Sequence, residues 1–179
     1  TPPVRDAIAR LHDRGVNVVQ FLSAQENLEY LDFVGVNNFN AGATAAKIIG
    51  KFSGAKTGSV MIISETMQSS DSIERRRGFD NIINSRFNGL RPLPSLETYG
   101  YSKRAKAIIS RQINNHNDIV AVYIISSEAR IPVEAIQDKL DLKDVCLVVH
   151  ERTPFNEAAL KTDDIDAIIA QNPGHAVRS

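Results

Sequence analysis

The 179-residue chain has a single cysteine, Cys146. It can therefore form no internal disulfide and no cysteine-based zinc knuckle. It has no excess of either charge, because 21 Lys and Arg balance 21 Asp and Glu. A basic surface that grips nucleic acid through its phosphates is not expected here. No apolar run approaches the ~20 residues that cross a bilayer, so no membrane partner is expected. Signatures of several chemistries are also missing. Gly54-Ala55-Lys56-Thr57-Gly58 lacks the spacing of a phosphate loop, and neither Gly-x-Gly-x-x-Gly nor Gly-x-Ser-x-Gly occurs. His12, His116, His150 and His175 are scattered, and His150-Glu151 has no second histidine four places on. Asp163, Asp164 and Asp166 read as a solvated turn beside a strand, and Cys146 as an inert core thiol. No metal and no cofactor is expected. Glu65, His150 and Glu151 are the groups that acid–base chemistry would use, but no nucleophile–base pair accompanies them, and the chain is not expected to be an enzyme. It opens Thr1-Pro2-Pro3-Val4, without an initiator methionine or a signal-peptide pattern, and a piece of a longer protein is expected.

What the chain does have is alternation. Thr1 reads as a helix cap with Pro2 first in the helix and Gly15 as its stop; Val4, Ile8 and Leu11 share one face. Strands are expected at 16–22 and 31–36, then a helix from Asn40 whose buried stripe is Ala41, Ala45, Ile48, Ile49 and Phe52. Val60 to Ile63 is an unbroken apolar run, followed by a helix capped by Asp71 with Glu74 three places on. Residues 91–94 read as a loop, 96–99 as a short strand, and Ser102 as the cap of the next helix. A strand at 119–125, a helix at 133–140, a strand at 145–149, a Thr153-capped helix with Pro154 at its first position, and a strand at 165–170 complete the pattern. Alternating strands and helices with fully apolar strands indicate an α/β protein with a parallel sheet covered on both faces.

Open parallel sheets bind ligands beyond the carboxyl ends of their strands. The residues that follow the expected strands are Asn37-Asn38, Ser64-Glu65, Ser126-Ser127-Glu128, His150-Glu151 and Gln171-Asn172. Amides, hydroxyls and one or two carboxylates suit an uncharged polyhydroxylated ligand, although polar residues are also ordinary in loops. Arg75 carries more information. On a helical wheel it falls on the face of Phe79, Ile82 and Ile83, with Arg77 opposite and Arg76 at the edge. An arginine on the core side needs a partner, either a ligand or a carboxylate such as Glu151, unless it extends along the helix end to water.

Three stretches resemble a known family. Val34-Gly35-Val36-Asn37-Asn38-Phe39-Asn40-Ala41-Gly42, Ser72-Ile73-Glu74-Arg75-Arg76-Arg77-Gly78-Phe79, and the run from Val149-His150-Glu151-Arg152-Thr153-Pro154 to Ile165–Pro173 are similar, in order and spacing, to the effector-binding domain of the lac-repressor/galactose-repressor family of transcription regulators. The periplasmic sugar-binding proteins are relatives of that family. The resemblance implies an α/β, two-lobed, parallel-sheet fold of the periplasmic-binding-protein-like type I, with Rossmann-like lobes, present here incompletely. Residues 1–54 would belong to the N-terminal lobe, 55–170 to the C-terminal lobe, and 171–179 to the hinge crossing back. The resemblance also implies a ligand set. Arg75 matches the ligand-clamping arginine. Glu151 stands where an aspartate usually meets sugar hydroxyls, and Gln171 matches a hinge glutamine. Asn37 would line the cleft from the other lobe, Tyr101 falls near an aromatic position, Ser127 replaces part of an Asn-Asp pair, and Ser23 stands near a usual aspartate.

The function this implies is ligand sensing by a cytoplasmic transcription regulator. Lobe closure on a small polar effector, a carbohydrate, would modulate DNA binding by a headpiece absent from this chain, within a homodimer. The alternative is a periplasmic sugar or solute receptor of a transport system, which shares the cleft but not the DNA.

Overall fold

A computed structural model describes residues 2–22, 28 and 31–171, and the chain divides into two compact units, one ending at Asn37 and the other running from Asn38 to Gln171. In the first unit, helix α1 (Pro2–Asp13) is followed by strands β1 (Val19–Leu22) and β2 (Asp32–Gly35), which pair in parallel with Val19 opposite Asp32. Gly15 takes φ +76°, and its N–H donates to the His12 carbonyl at 2.8 Å. The expected helix stop is therefore a left-handed glycine closing the last turn.

The second unit is a six-stranded, all-parallel sheet. Its elements are α2 (Asn38–Phe52), β3 (Gly58–Ser64), α3 (Ser70–Arg86), β4 (Leu90–Pro92), β5 (Leu96–Glu97), α4 (Ser102–Asn115), β6 (Ile119–Ile124), α5 (Arg130–Gln137), β7 (Cys146–His150), α6 (Pro154–Lys161) and β8 (Ala167–Ile169). The strand order is β4-β3-β6-β7-β8, and β5 pairs with β3 beyond β4. Alternate residues of each central strand point to opposite faces. Val60, Ile62, Ala121, Tyr123 and Val148 pack with Ala45 and Ile49 of α2 and Phe79 and Ile83 of α3. Met61, Ile63, Val122, Ile124, Leu147 and Val149 pack with Ile109 of α4, Val133 and Ile136 of α5, and Ala159 of α6. Both faces are covered, which is why these strands read as continuous apolar runs.

Several boundaries differ from expectation. The units divide after Asn37 rather than near residue 54, because α2 crosses α3 at a pair of glycines. A Cβ on Gly42 would lie 1.8 Å from the Arg75 carbonyl oxygen, and one on Gly78 would lie 1.9 Å from that of Phe39. Only glycine lets the two backbones come this close, and the closeness commits α2 to the second unit. Residues 172–179, expected as the crossing back, lie outside the described residues. The cap of α3 is Ser69, whose hydroxyl accepts from the Ser72 N–H, rather than Asp71. Tyr101, not Ser102, occupies the cap position of α4, and it makes no side-chain cap bond. Arg91 and Pro92, expected as part of a loop, belong to Leu90–Pro92, which pairs with β3 as an edge strand, where a proline is tolerated. Thr153 caps α6 as expected, accepting from the Asn156 N–H with Pro154 at the first position.

Candidate functional site

The carboxyl ends of β3, β6, β7 and β8 and the first turns of α3 surround a cavity of about 530 Å³. β3 leads into Glu65 and Thr66, β6 into Ser126 and Ser127, β7 into Glu151, and β8 into Gln171; Ser69, Asp71, Ser72 and Arg75 approach from α3. Parallel strands put all these segments at one end of the sheet, so residues as far apart in the chain as Glu65 and Gln171 converge.

Arg75 is the centre of the arrangement. It is 6% exposed and sits on the same helix face as Gly78, Phe79, Ile82 and Ile83. Its guanidinium does not reach along the helix to water. Nε donates to Asn38 Oδ1 at 2.8 Å, Nη1 to the Ile125 carbonyl at 2.8 Å, and Nη2 lies 3.4 Å from Glu151 Oε1. A buried charge needs such partners. An arginine has five N–H donors in a rigid fork, so these three bonds fix its plane and leave donors for an incoming ligand. Its neighbours on the wheel follow the expected sides. Arg77 is exposed and pairs with Glu74, while Arg76 bonds Asp80, Ser95 and the Leu93 carbonyl.

Around Arg75 the cavity wall is hydroxyl-rich and acidic. Ser72 is buried, and its hydroxyl lies 2.9 Å from Ser69 Oγ and 3.4 Å from Ser64 Oγ. The Glu65–Ser69 segment is held by Glu97, whose Oε2 accepts from the Met67 N–H at 2.8 Å and from the Thr66 hydroxyl at 3.4 Å. Three carboxylates, Glu65, Asp71 and Glu151, line the cavity with one guanidinium. That balance disfavours an anionic ligand and leaves donors and acceptors for hydroxyl groups.

Behind the cavity lies a polar pair within the core. The Tyr123 hydroxyl and His150 Nε2 are 2.7 Å apart, both residues are wholly buried, and Phe79 stacks on Tyr123 with ring centroids 4.7 Å apart. Burial, helped by the nearby Arg75 charge, lowers the His150 pKa to about 3, so the imidazole is neutral. Burial likewise pushes the Tyr123 hydroxyl up, against a smaller opposing effect of Arg75. The Cys146 thiol is pushed up to about 12 by burial and the Asp166 carboxylate, which makes it a poor nucleophile.

Of the expected ligand residues, Arg75, Ser127, Glu151 and Gln171 line this one cavity. Tyr101 does not; its side chain is largely exposed at the start of α4. Asn37 is exposed and is the last residue of the first unit, and its neighbour Asn38 is the residue that meets Arg75. Ser23 lies outside the described residues. Sequence reasoning missed Asn38, Ser69 and Ser72 as site residues. Ser69 had a readable signal, a serine just before the helix with Ser72 three places on; Asn38 had none that set it apart from Asn37. Among the described residues no group of three His, Cys, Asp or Glu could hold a metal, and no helix is long and apolar enough to cross a membrane.

A parallel α/β unit with a hydroxyl-lined cavity at its strand ends defines a small-ligand binding protein. The chain belongs to the periplasmic binding protein domain family, whose pattern it matches over residues 1–179. That family consists of binding domains rather than enzymes. Its fold is similar to that of a periplasmic solute binding protein from Actinobacillus succinogenes 130z with bound D-allose (TM-score 0.80, 18% identity, 96% of this chain and 62% of that one). It is similar to a solute binding protein from Agrobacterium vitis bound with α-D-tagatopyranose (TM-score 0.79, 16% identity, 94% and 60%). It is also similar to GanP, a glucose-galactose binding protein from Geobacillus stearothermophilus (TM-score 0.76, 18% identity, 87% and 55%). The chain thus spans 55–62% of the length of these structures. A comparison with curated protein sequences found no match.

Proposed function

We propose that the protein containing this chain is a periplasmic receptor that binds a neutral monosaccharide and delivers it to a transporter. The observation that carries this reading is Arg75, buried and oriented by Asn38, Ile125 and Glu151 at the floor of a cavity otherwise lined by hydroxyls, an amide and carboxylates. An oriented guanidinium donates to sugar oxygens, and Glu151 accepts from sugar hydroxyls, each through a charge-assisted hydrogen bond. The excess of carboxylates disfavours sugar phosphates and sugar acids. Two of the solved structures of similar fold named above are solute binding proteins of ABC transporters and the third is a glucose-galactose binding protein, which favours this reading over a transcription regulator.

The regulator reading rests on the resemblance of three stretches, Val34–Gly42, Ser72–Phe79 and Val149–Pro173. It differs in what the ligand controls: a homodimer's grip on DNA through a headpiece outside this chain, in the cytoplasm. A signal peptide upstream in the parent gene supports the receptor, and a helix-turn-helix there supports the regulator.

Calorimetric titration of the full-length protein with D-allose, D-arabinose and D-tagatose tests the ligand class. At least one is expected to bind, and Arg75→Ala is expected to weaken that binding by at least a hundredfold. The variant also leaves Asn38 Oδ1 and the Ile125 carbonyl without their donor, costing about 1–3 kcal/mol of stability, which a melting curve reports separately. Binding of none of a wide panel of neutral monosaccharides would overturn the sugar reading. Unchanged affinity in Arg75→Ala would remove Arg75 from the site.

A further inference from the structure

Glu151 reaches the cavity from an unusual backbone. Its φ is +65°, a left-handed conformation that residues other than glycine, asparagine and aspartate seldom adopt. Something must hold it there, and the surroundings identify what does. Asn156, on the first turn of α6, is wholly buried. Its Nδ2 donates to the His150 carbonyl at 3.0 Å and to the Glu151 carbonyl at 2.8 Å. Those two carbonyls belong to the peptide planes on either side of the Glu151 Cα, so one amide group restrains both φ and ψ of that residue. The Glu151 N–H donates to the Ile169 carbonyl at 3.0 Å, which ties the turn to β8.

The geometry also determines which way the amide faces. Oδ1 of Asn156 has no hydrogen-bond partner among the described residues. Turning the amide over would point Oδ1 at two carbonyl oxygens. The nitrogen therefore faces the turn. Asn156 itself is anchored because its backbone N–H donates to Thr153 Oγ1 at 3.1 Å. It is absent from the cavity wall, so whatever it contributes to binding must pass through Glu151.

We propose that Asn156 is a positioning residue for ligand binding: its side-chain amide holds Glu151 in the left-handed turn that presents the carboxylate to Arg75 and to the cavity. The backbone half of this proposal stands on its own, and the ligand half rests on the receptor reading above.

The discriminating variant is Asn156→Asp, nearly the same shape but with an acceptor in place of the two donors. Two measurements on the full-length protein apply. The first needs no ligand: backbone NMR of Glu151, through its three-bond HN–Hα coupling and Cα/Cβ shifts, is expected to lose the positive-φ signature in the variant. The second is titration with whichever of D-allose, D-arabinose or D-tagatose binds the wild type; affinity is expected to fall at least tenfold. In a Glu151→Ala background the same substitution is expected to change affinity less than twofold, because a residue acting through Glu151 has nothing left to position. If Asn156→Asp does not fold, Asn156→Ser, with one donor on a shorter arm, carries the same measurements. A retained positive φ in the variant, or a loss of affinity that simply adds to that of Glu151→Ala, overturns the proposal. If no monosaccharide binds, the receptor reading fails while the φ measurement still decides what Asn156 does.

Discussion

Val19 and Phe21 of β1 and Phe33 of β2 are 54%, 51% and 41% exposed, whereas Val60, Ile62 and Tyr123 of β3 and β6 are fully buried. All are β-branched or aromatic residues in parallel strands, so strand propensity does not separate them. The difference is what covers the sheet. In the unit Asn38–Gln171, α2 and α3 lie on one face and α4, α5 and α6 on the other. Before Asn38 the described residues hold two paired strands and α1, none of whose described side chains is buried. The buried apolar residues described there are Leu28 and Leu31, which lie outside the two strands. The comparison teaches that an apolar residue in a strand is a candidate for burial only, and the elements stacked on either face decide the outcome.

Equivalent substitutions in the two units should break or sharpen this contrast. The largest effect is expected from Gly78→Ala. Alanine is the better helix former by about 1 kcal/mol, but its Cβ would meet the Phe39 carbonyl oxygen at 1.9 Å, a backbone clash that no rotamer change relieves, so the cost should exceed the ~1–3 kcal/mol usual for overpacking and reach the exceptional range above ~5 kcal/mol. Gly15→Ala in the first unit meets nothing within 4 Å and should cost only about 1–2 kcal/mol, from the positive φ. Chemical denaturation of both variants measures the difference.

Phe79→Ala comes next. The ring is wholly buried against Tyr123, and its loss should cost about 3–5 kcal/mol. Phe33→Ala, at a 41% exposed site, should stay within about 1 kcal/mol. Equal costs for the two in the same denaturation experiment would show that the first unit also buries its aromatic residue.

Acid should act on the second unit through His150. The folded imidazole titrates at about 3 and the unfolded one near 6.5, so the unfolded chain takes up the proton first on acidification. The stability contributed by neutral His150 is complete above about pH 6.5 and is lost progressively as pH falls towards 3. Melting temperature against pH is therefore expected to decline across that window, and His150→Gln to flatten the decline. A slope unchanged in the variant would assign the acid sensitivity to other groups.

The smallest effect is expected from Arg77→Ala. This arginine is exposed and its pair with Glu74 faces water, so stability should change by no more than about 0.5 kcal/mol and ligand affinity not at all. Two residues from Arg75, it is the control for the wheel argument.

Much of this was legible beforehand, and particular residues show why. Arg75 could be placed on the core side because Phe79, Ile82 and Ile83 repeat at helical spacing on its own element. Thr153-Pro154 announced a helix start because capping uses residues adjacent in the chain. Glu65, Ser127, Glu151 and Gln171 could be grouped because a parallel sheet brings every strand's carboxyl end to one edge. The edge strand at Leu90–Pro92 was missed because a three-residue strand holding a proline carries no periodic signal. The unit boundary was misplaced because glycines 42 and 78 read as ordinary small residues until the crossing of α2 and α3 shows what each one touches.

The sequence by itself determined the succession of strands and helices, the face that α3 turns inward, and the end of the sheet where polar residues gather; Val4 and Leu11 of α1 and Phe52 of α2, expected on inward faces, are exposed. These follow from spacing within one element, and such interactions act over a few residues. Only the tertiary structure decided that Asn38 rather than Asn37 meets Arg75, that the Asn156 amide bonds the carbonyls on either side of Glu151, and that Val19, Phe21 and Phe33 are exposed. Those outcomes depend on contacts between segments far apart in the chain, and no local pattern records which distant backbone will pack against a given side chain.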